Sequence, residues 1–435
     1  MTIDRRRFFM QTGLTAAGLA ATYRSAKGAG DGAAVGSATP DLSTWEGVRA
    51  QFAVSPEYVH LSSFFLASHP LPVREAIERH RRGLDDNPYM YSRPSQDAVE
   101  KAVAEYIGGR ADEIALTDST TMGLGLIYHG LPLKAGQEIL TTAHDHYSHH
   151  ESIRLAAERV GATIRKIRLF DDFNSISEDE IVDRIRKSIT PKTRVVGVTW
   201  VHSSSGVKLP LRSIAAAVAE VNRGRAEADR TLLVVDGVHG LGVEDESVAQ
   251  TGIDFFAAGT HKWIFGPRGT GFIWGKAEYW KMMRPVIPAF EGGPMGAWMQ
   301  DKAPSTAAMQ ASWMTPGGFH SFEHRWALPA AFEFHKQIGR ARVAARIHEL
   351  NDQAKEAMAK MPNVILHTPR GNKLSAGMIC FDVKGMKPYA VVRKLIEKKV
   401  IATTSPYAVA YARIAPSLLN TSEEIERTLG YIRAL

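Results

Sequence analysis

The 435-residue chain is 44% hydrophobic and 23% charged, carries 53 Lys and Arg against 46 Asp and Glu for a formal charge of +7, and has a single cysteine, Cys380. Those proportions belong to a globular protein of one large or two medium domains and exclude a disordered, collagenous or coiled-coil chain. One cysteine excludes an internal disulfide and a thiolate zinc centre.

Much of the positive charge sits at the start. Arg5, Arg6, Arg7, Arg24 and Lys27 against Asp4 give residues 1–30 a net +4, so cleavage near residue 30 would leave +3, and cleavage after Thr22 would leave +5. The apolar stretch from Phe8 to Ala21 is broken by Gln11, Gly13 and Gly18. It is too short and too weakly apolar for a bilayer span, which takes ~20 residues. A basic head, a modest apolar run and small residues make the pattern of a secretory signal. The run Arg5-Arg6-Arg7-Phe8-Phe9 resembles the twin-arginine export signature, with Asp4 where Ser or Thr is usual and Met10 where Lys is common. That resemblance implies a signal and linker over residues 1–40, passage through the twin-arginine export machinery, and a periplasmic protein. A disordered basic tail is the plain alternative.

From Asp41 onward there is no repeat and no charge block. The patterning predicts strands at Glu113–Thr117, Ile139–Thr142, Thr163–Leu169, Val195–Val201, Leu232–Val235 and Gly271–Trp274, with helices such as Glu178–Ile189 and Leu211–Val221 between them. Strands apolar on both faces and separated by helices specify an α/β domain with a mainly parallel sheet, placed at residues 86–329. Past Pro329 the pattern changes to a long helical stretch, Ala330–Met361, a strand at Gly377–Val383, a helix at Tyr389–Lys399, and short strands at Val400–Thr403 and Ala412–Ala415. Thr421 and Glu424 have the spacing of a capping box for a last helix. Residues 330–435 thus read as a smaller α+β domain, with residues 41–85 packing against it. The remaining basic residues alternate with acidic ones, which argues against a nucleic-acid partner.

In a parallel sheet, ligands gather at the carboxyl ends of strands. The strand Thr231–Val235 ends in Asp236-Gly237-Val238-His239. His261-Lys262-Trp263 follows, placing a lysine 26 residues after that aspartate, and then Gly266-Pro267-Arg268-Gly269-Thr270-Gly271. Upstream lie Thr117-Asp118-Ser119-Thr120-Thr121, a strand end followed by a helix start, and the histidine cluster His144, His146, His149 and His150. That cluster is also a pattern that zinc or copper could take, with His149 and His150 read as surface residues. A loop cap and a solvated charge are the plain alternative for the aspartate and the lysine, against which stands the order of Asp, His-Lys and Gly-Pro-x-Gly-x-Gly.

From about residue 58 to the end, these motifs resemble the fold-type I enzymes dependent on pyridoxal 5′-phosphate, and among them the class V aminotransferase family. Several roles follow from the resemblance. Lys262 forms the Schiff base with the cofactor, Asp236 keeps the pyridine nitrogen protonated, and His146 lies on the ring. Thr120 and Thr121 hold the phosphate, with His261 as a further contact. Ser203 or Ser204, with His239, approaches the ring oxygen, and Arg413 takes the substrate carboxylate. The family implies a homodimer in which Gly317-Gly318-Phe319-His320 approaches the neighbouring subunit's phosphate, but Phe319 stands where threonine is usual.

The shared chemistry admits transamination, epimerisation or elimination. Cys380 lies in an apolar strand pattern, Gly377–Val383, which argues against a mobile cysteine nucleophile and therefore against desulfuration. Segments such as Trp200–Ser204 and Gly318–Trp326 are similar to a periplasmic subgroup that tailors pyoverdine siderophores. The expected function is therefore an exported enzyme acting on an amino acid or an amine-bearing peptide or natural product. An isopenicillin N epimerase-like reaction is the alternative, and a C–S lyase or a cofactor-binding protein without turnover ranks below it.

Overall fold

Runs of Val, Ile, Leu and Phe alternate between two apolar layers, and that alternation builds the centre of the molecule. The computed structural model describes residues 41–91, 97–173 and 175–435; the export signal expected over residues 1–40 lies outside the described residues. After a two-residue strand β1 (Val59–His60) come β2 (Ile114–Thr117), β3 (Glu138–Thr142), β4 (Thr163–Ile167), β5 (Thr193–Thr199), β6 (Leu232–Asp236), β7 (Phe255–Gly259) and β8 (Gly271–Gly275). Strands β2 to β8 form one sheet in the order β2-β8-β7-β6-β5-β3-β4. β3 to β7 run parallel, and β8 alone runs against its neighbours.

Side chains alternate across this sheet because successive Cβ atoms of a strand point to opposite faces. Ile139, Val195, Val234 and Phe255 meet the layer that contains Leu124, Ile127 and Ile153. Leu140, Val196, Val235 and Phe256 meet the layer that contains Ile181, Ile185, Ile214 and Val218. All residues of β5 to β8 are buried. Burying each large apolar side chain contributes roughly 1.5–3 kcal/mol. Strand β7 was missed in the sequence because Ala257, Ala258 and Gly259 carry little hydrophobic signal. Small residues are needed there: a Cβ at Gly123 of the covering helix Thr120–Gly130 would stand 3.1 Å from that of Ala257.

The remaining strands are β9 (Val364–Leu366), β10 (Ile379–Val383), β11 (Val400–Ile401), β12 (Thr403–Thr404) and β13 (Ala412–Ile414). Strands β12-β13-β10-β9 form an antiparallel sheet. β11 pairs instead with β1 in parallel, Val59 opposite Val400. The helix Leu71–Asp86, by contrast, lies along Phe322–Ile338. The single helix expected over Ala330–Met361 is two, Phe322–Ile338 and Arg340–Met358. Gly339, at φ 94°, breaks them in a conformation that residues with a Cβ avoid, and Pro329 stands inside the first. The capping box of Thr421 and Glu424 is formed. Among the described residues no helix is long and apolar enough to cross a membrane.

Candidate active site

The chain leaves β3 in one direction along the sheet and β5 in the other, and the crevice between such strands is where an α/β sheet binds ligands. Asp145 and His146 follow β3, His202 and Ser203 follow β5, Asp236 ends β6, and His261 and Lys262 follow β7. Asp236 is buried and one carboxylate oxygen accepts the N–H of Val238 at 3.2 Å. Burial pushes its pKa up, against the Val238 bond and the opposing charge of Lys262. Lys262 is half-buried, and burial holds its amine below the usual lysine range, with Asp236 opposing and Arg413 adding to the effect. The turn behind it is tight: Phe265 N–H donates to the Lys262 carbonyl at 3.1 Å and adopts φ 56°. Close approach also governs the other side, where a Cβ on Gly237 would come within 1.8 Å of the Phe256 ring.

His146 caps the helix Tyr147–Val160, its Nδ1 accepting the N–H of Ser148. Burial, with Lys262 and Arg413 nearby, lowers its pKa to about 4, so the ring is neutral. The other histidines of the cluster point elsewhere. His150 bonds the Thr142 carbonyl, and His144 stacks on Phe170 at 4.2 Å. His149 corrects the surface placement expected from the sequence. It is fully buried, with Nε2 2.7 Å from the Tyr128 hydroxyl, because its helix lays that face on the sheet. Among the described residues no three His, Cys, Asp or Glu side chains form a metal-binding group.

At the carboxyl end of β2, Ser119 caps the helix Thr120–Gly130, its hydroxyl accepting the N–H of Met122 at 3.1 Å. The helix start carries free N–H groups and the positive end of the dipole. The two threonines differ. Thr120 is buried and its hydroxyl accepts the Gly259 N–H at 2.7 Å, whereas Thr121 is exposed on the helix's first turn. A Cβ at Gly259 would meet both the His261 ring, at 3.0 Å, and the Thr120 hydroxyl, at 3.2 Å. The absent side chain therefore lets the helix start and the imidazole close in on the backbone of Gly259. His261 is held near 4 by burial and by Lys262. Phe319 is 93% exposed.

Ser203 is buried and its hydroxyl lies 2.7 Å from that of Tyr407, whose ring stands edge-on to His146 at 6.0 Å. Arg413 on β13 is 4% exposed. Its guanidinium donates to the Ser203 carbonyl at 2.7 Å and to the Thr403 hydroxyl at 3.1 Å, and lies 4.4 Å over the Phe64 ring. No carboxylate of the described residues pairs with it, and burial lowers its pKa. Cys380 sits opposite Arg413 in the next strand, fully buried, its thiol pushed up to about 12. His239 is buried between Lys262 and Trp263, 3.1 Å from the amine.

The pocket thus collects one lysine, one arginine and three imidazoles around the buried carboxylate of Asp236, with the equally buried carboxylate of Asp145 behind. Burial, with Lys262 nearby, keeps the imidazoles neutral. A site whose buried Arg413 has no carboxylate partner among the described residues fits a ligand that brings negative charge of its own. Pyridoxal 5′-phosphate matches the set: a phosphate for the helix start, a basic ring nitrogen for Asp236 and an aldehyde for Lys262. Tyr407 and Phe64 carry no recognisable motif in the sequence, and Trp263 stands in one without its contact to His239 being legible there. Their partners lie far away in the chain, as with Tyr407 and Ser203, 204 residues apart.

A family model described as aminotransferase class-V matches residues 91–428. Isopenicillin N epimerase of Streptomyces clavuligerus is 28% identical over 414 residues, 91% of this chain and 99% of that protein. A probable cysteine desulfurase of Halalkalibacterium halodurans is 24% identical over 394 residues, covering 85% and 90%. Among solved structures, the cystine C-S lyase C-DES in complex with its reaction product cysteine persulfide has a TM-score of 0.76. It is 21% identical, with 87% of this chain and 98% of that chain covered. A mutant of C-DES with glycine covalently linked to its PLP cofactor scores 0.77 at the same identity, covering 88% and 98%.

Proposed function

The chain belongs to the class V aminotransferase family of pyridoxal 5′-phosphate enzymes, and on that premise we propose that it removes the Cα proton of a substrate carrying an amine beside a carboxylate. When bound, the cofactor supplies an aldehyde to the lysine and a protonated ring that draws electrons from the substrate carbon. The chain's own residues do the rest. Lys262, with its amine held below the usual range, takes and returns the proton. Asp236 would hold the proton on the ring nitrogen, His146 would cover the ring, and the helix start with Thr120, Thr121 and His261 would hold the phosphate. The observation that carries the proposal is Arg413: a buried guanidinium with no acidic partner among the described residues is costly unless an anion completes it. Its planar fork suits a carboxylate.

The substrate class we propose is an amino acid or an amine-bearing peptide or natural product, met in the periplasm after twin-arginine export, with a pyoverdine-type siderophore side chain as the specific candidate. The Arg5-Arg6-Arg7-Phe8-Phe9 run supports that location. Exposed Phe290, Trp298 and Phe319 support a homodimer that covers them. A second reading, epimerisation, is favoured by the match to isopenicillin N epimerase over nearly its full length. Buried Cys380 stands against a cysteine-dependent desulfuration.

Incubating the holoenzyme with amino acids, amine-bearing peptides and siderophore precursors in D2O tests the proposal. Deuterium should enter at Cα of the true substrate and a visible spectral shift should accompany it. A keto product marks transfer of the amine, whereas inverted configuration without one marks epimerisation. Product formation with Cα hydrogen fully retained would overturn the proton-abstraction step.

A further inference from the structure

His239 is pinned between two nitrogens of known or constrained character. The indole N–H of Trp263, a group that can only donate, points to His239 Nδ1 at 3.3 Å. His239 Nε2 lies 3.1 Å from Lys262 Nζ. Because Nδ1 must accept, a neutral imidazole carries its proton on Nε2, and that N–H faces the lysine. The lysine must then offer a lone pair. A charged ammonium has none, and could bond Nε2 only if the ring were an anion or if the Trp263 bond were broken. We propose that Trp263 is a positioning residue: by donating to His239 it fixes the Nε2–H tautomer, whose N–H holds Lys262 as a free amine.

The surroundings are consistent with this arrangement. His239 and Trp263 are 5% and 2% exposed, so water does not supply alternative partners readily. Phe64 closes the other side, its ring 5.9 Å from His239 and 6.4 Å from Trp263. The charged or titratable groups facing the pair are Asp236, Arg413, His146 and His261. Of these Asp236 alone favours an ammonium, and Arg413 opposes it. A neutral amine is the form that captures an aldehyde and the form that accepts a substrate proton. When the Cα–H bond breaks, its electron pair stays with the carbon and the proton forms a new bond to Nζ. The resulting ammonium faces the N–H of His239, a repulsive contact that favours handing the proton on. Trp263 thereby acts through His239 on both halves of the proton's path.

The inference rests on the reading of Lys262 as the reactive amine, and the experiment separates the two. Apoprotein is treated with trace acetic anhydride across a pH series and Lys262 acetylation is read by peptide mass spectrometry, for wild type, Trp263→Phe, His239→Gln and the double variant. Glutamine at 239 keeps an N–H donor without needing a tautomer. Trp263→Phe should lower labelling near neutral pH roughly 3- to 10-fold in the wild-type background. With His239→Gln already present it should lower labelling less than about 2-fold. Equal effects in both backgrounds, as a packing role would give, overturn the proposal. A second measurement does not depend on the variants folding. Nitrogen-15 spectra of histidine-labelled apoprotein, with the His239 signals identified by their loss in His239→Gln, should show the Nε2–H tautomer; the Nδ1–H form overturns the proposal. Borohydride reduction of the wild-type holoenzyme shows whether the cofactor attaches at Lys262. Attachment elsewhere defeats the functional reading, while attachment at Lys262 with the wrong tautomer defeats the present proposal alone.

Discussion

Arg413 stands on β13 across from Cys380, and the two explain each other's environment. The guanidinium spends donors on Ser203, Thr403 and Thr404, and keeps its charge uncompensated over the Phe64 ring. Replacing it with Met should leave the cofactor spectrum in place. The amino-acid concentration needed for a spectral titration should rise by about 10- to 100-fold, the worth of one charged hydrogen-bonding partner. An unchanged titration would remove Arg413 from the substrate site. Cys380, by contrast, has nothing to contribute to chemistry, since burial in β10 keeps the thiol protonated. The same reasoning separates Thr120 from Thr121. The buried hydroxyl that already holds Gly259 is part of the cradle, and the exposed one is free to meet a phosphate.

At the level of elements, the site is assembled by strand ends that project from one edge of the sheet, and glycines set how closely they approach. Gly237 follows Asp236 directly, where Phe256 of the neighbouring strand β7 fills the space a side chain would need. Gly237→Ala should therefore cost about 1–3 kcal/mol in chemical denaturation, as overpacking does, and should weaken cofactor retention by moving Asp236. A neutral result would mean that the β6–β7 contact yields. Asp236 and Lys262 were legible in the sequence because each terminates a local pattern, an apolar run ending in Asp and a His-Lys-Trp before Gly-Pro. The doubly buried strands β5, β6 and β8 were legible for the same reason. Strand β7 was not, because its composition is set by a neighbouring helix rather than by its own alternation. The break at Gly339 was hidden because the apolar spacing continues through it, and only the backbone angle reveals it. Contacts such as Trp263 to His239 or Tyr407 to Ser203 depend on how distant segments meet, and no period records them.

Over the whole molecule, buried neutral histidines set the response to acid. His149, His202 and His335 are fully buried, and burial holds them near 4, 3 and 4, against an ordinary value of 6.5. The unfolded chain binds protons at these sites before the folded one does. Their contribution is therefore present in full above pH 6.5 and is lost as the pH falls through 6.5 toward those lower values. Each is worth on the order of 3 kcal/mol. Denaturant midpoints should be level above pH 6.5 and fall steeply between 6.5 and about 4. Midpoints level down to pH 4 would mean that these imidazoles are solvated.

The residues of the pocket matter only if Lys262 is the group that holds the cofactor. The direct measurement is reduction of the purified holoenzyme with borohydride, followed by peptide mass spectrometry and by the absorption spectrum of Lys262→Ala. A phosphopyridoxyl adduct should appear on Lys262 alone, and the visible imine band should vanish in the variant. An adduct on another lysine, or an imine band that survives Lys262→Ala, would contradict the assignment of this site.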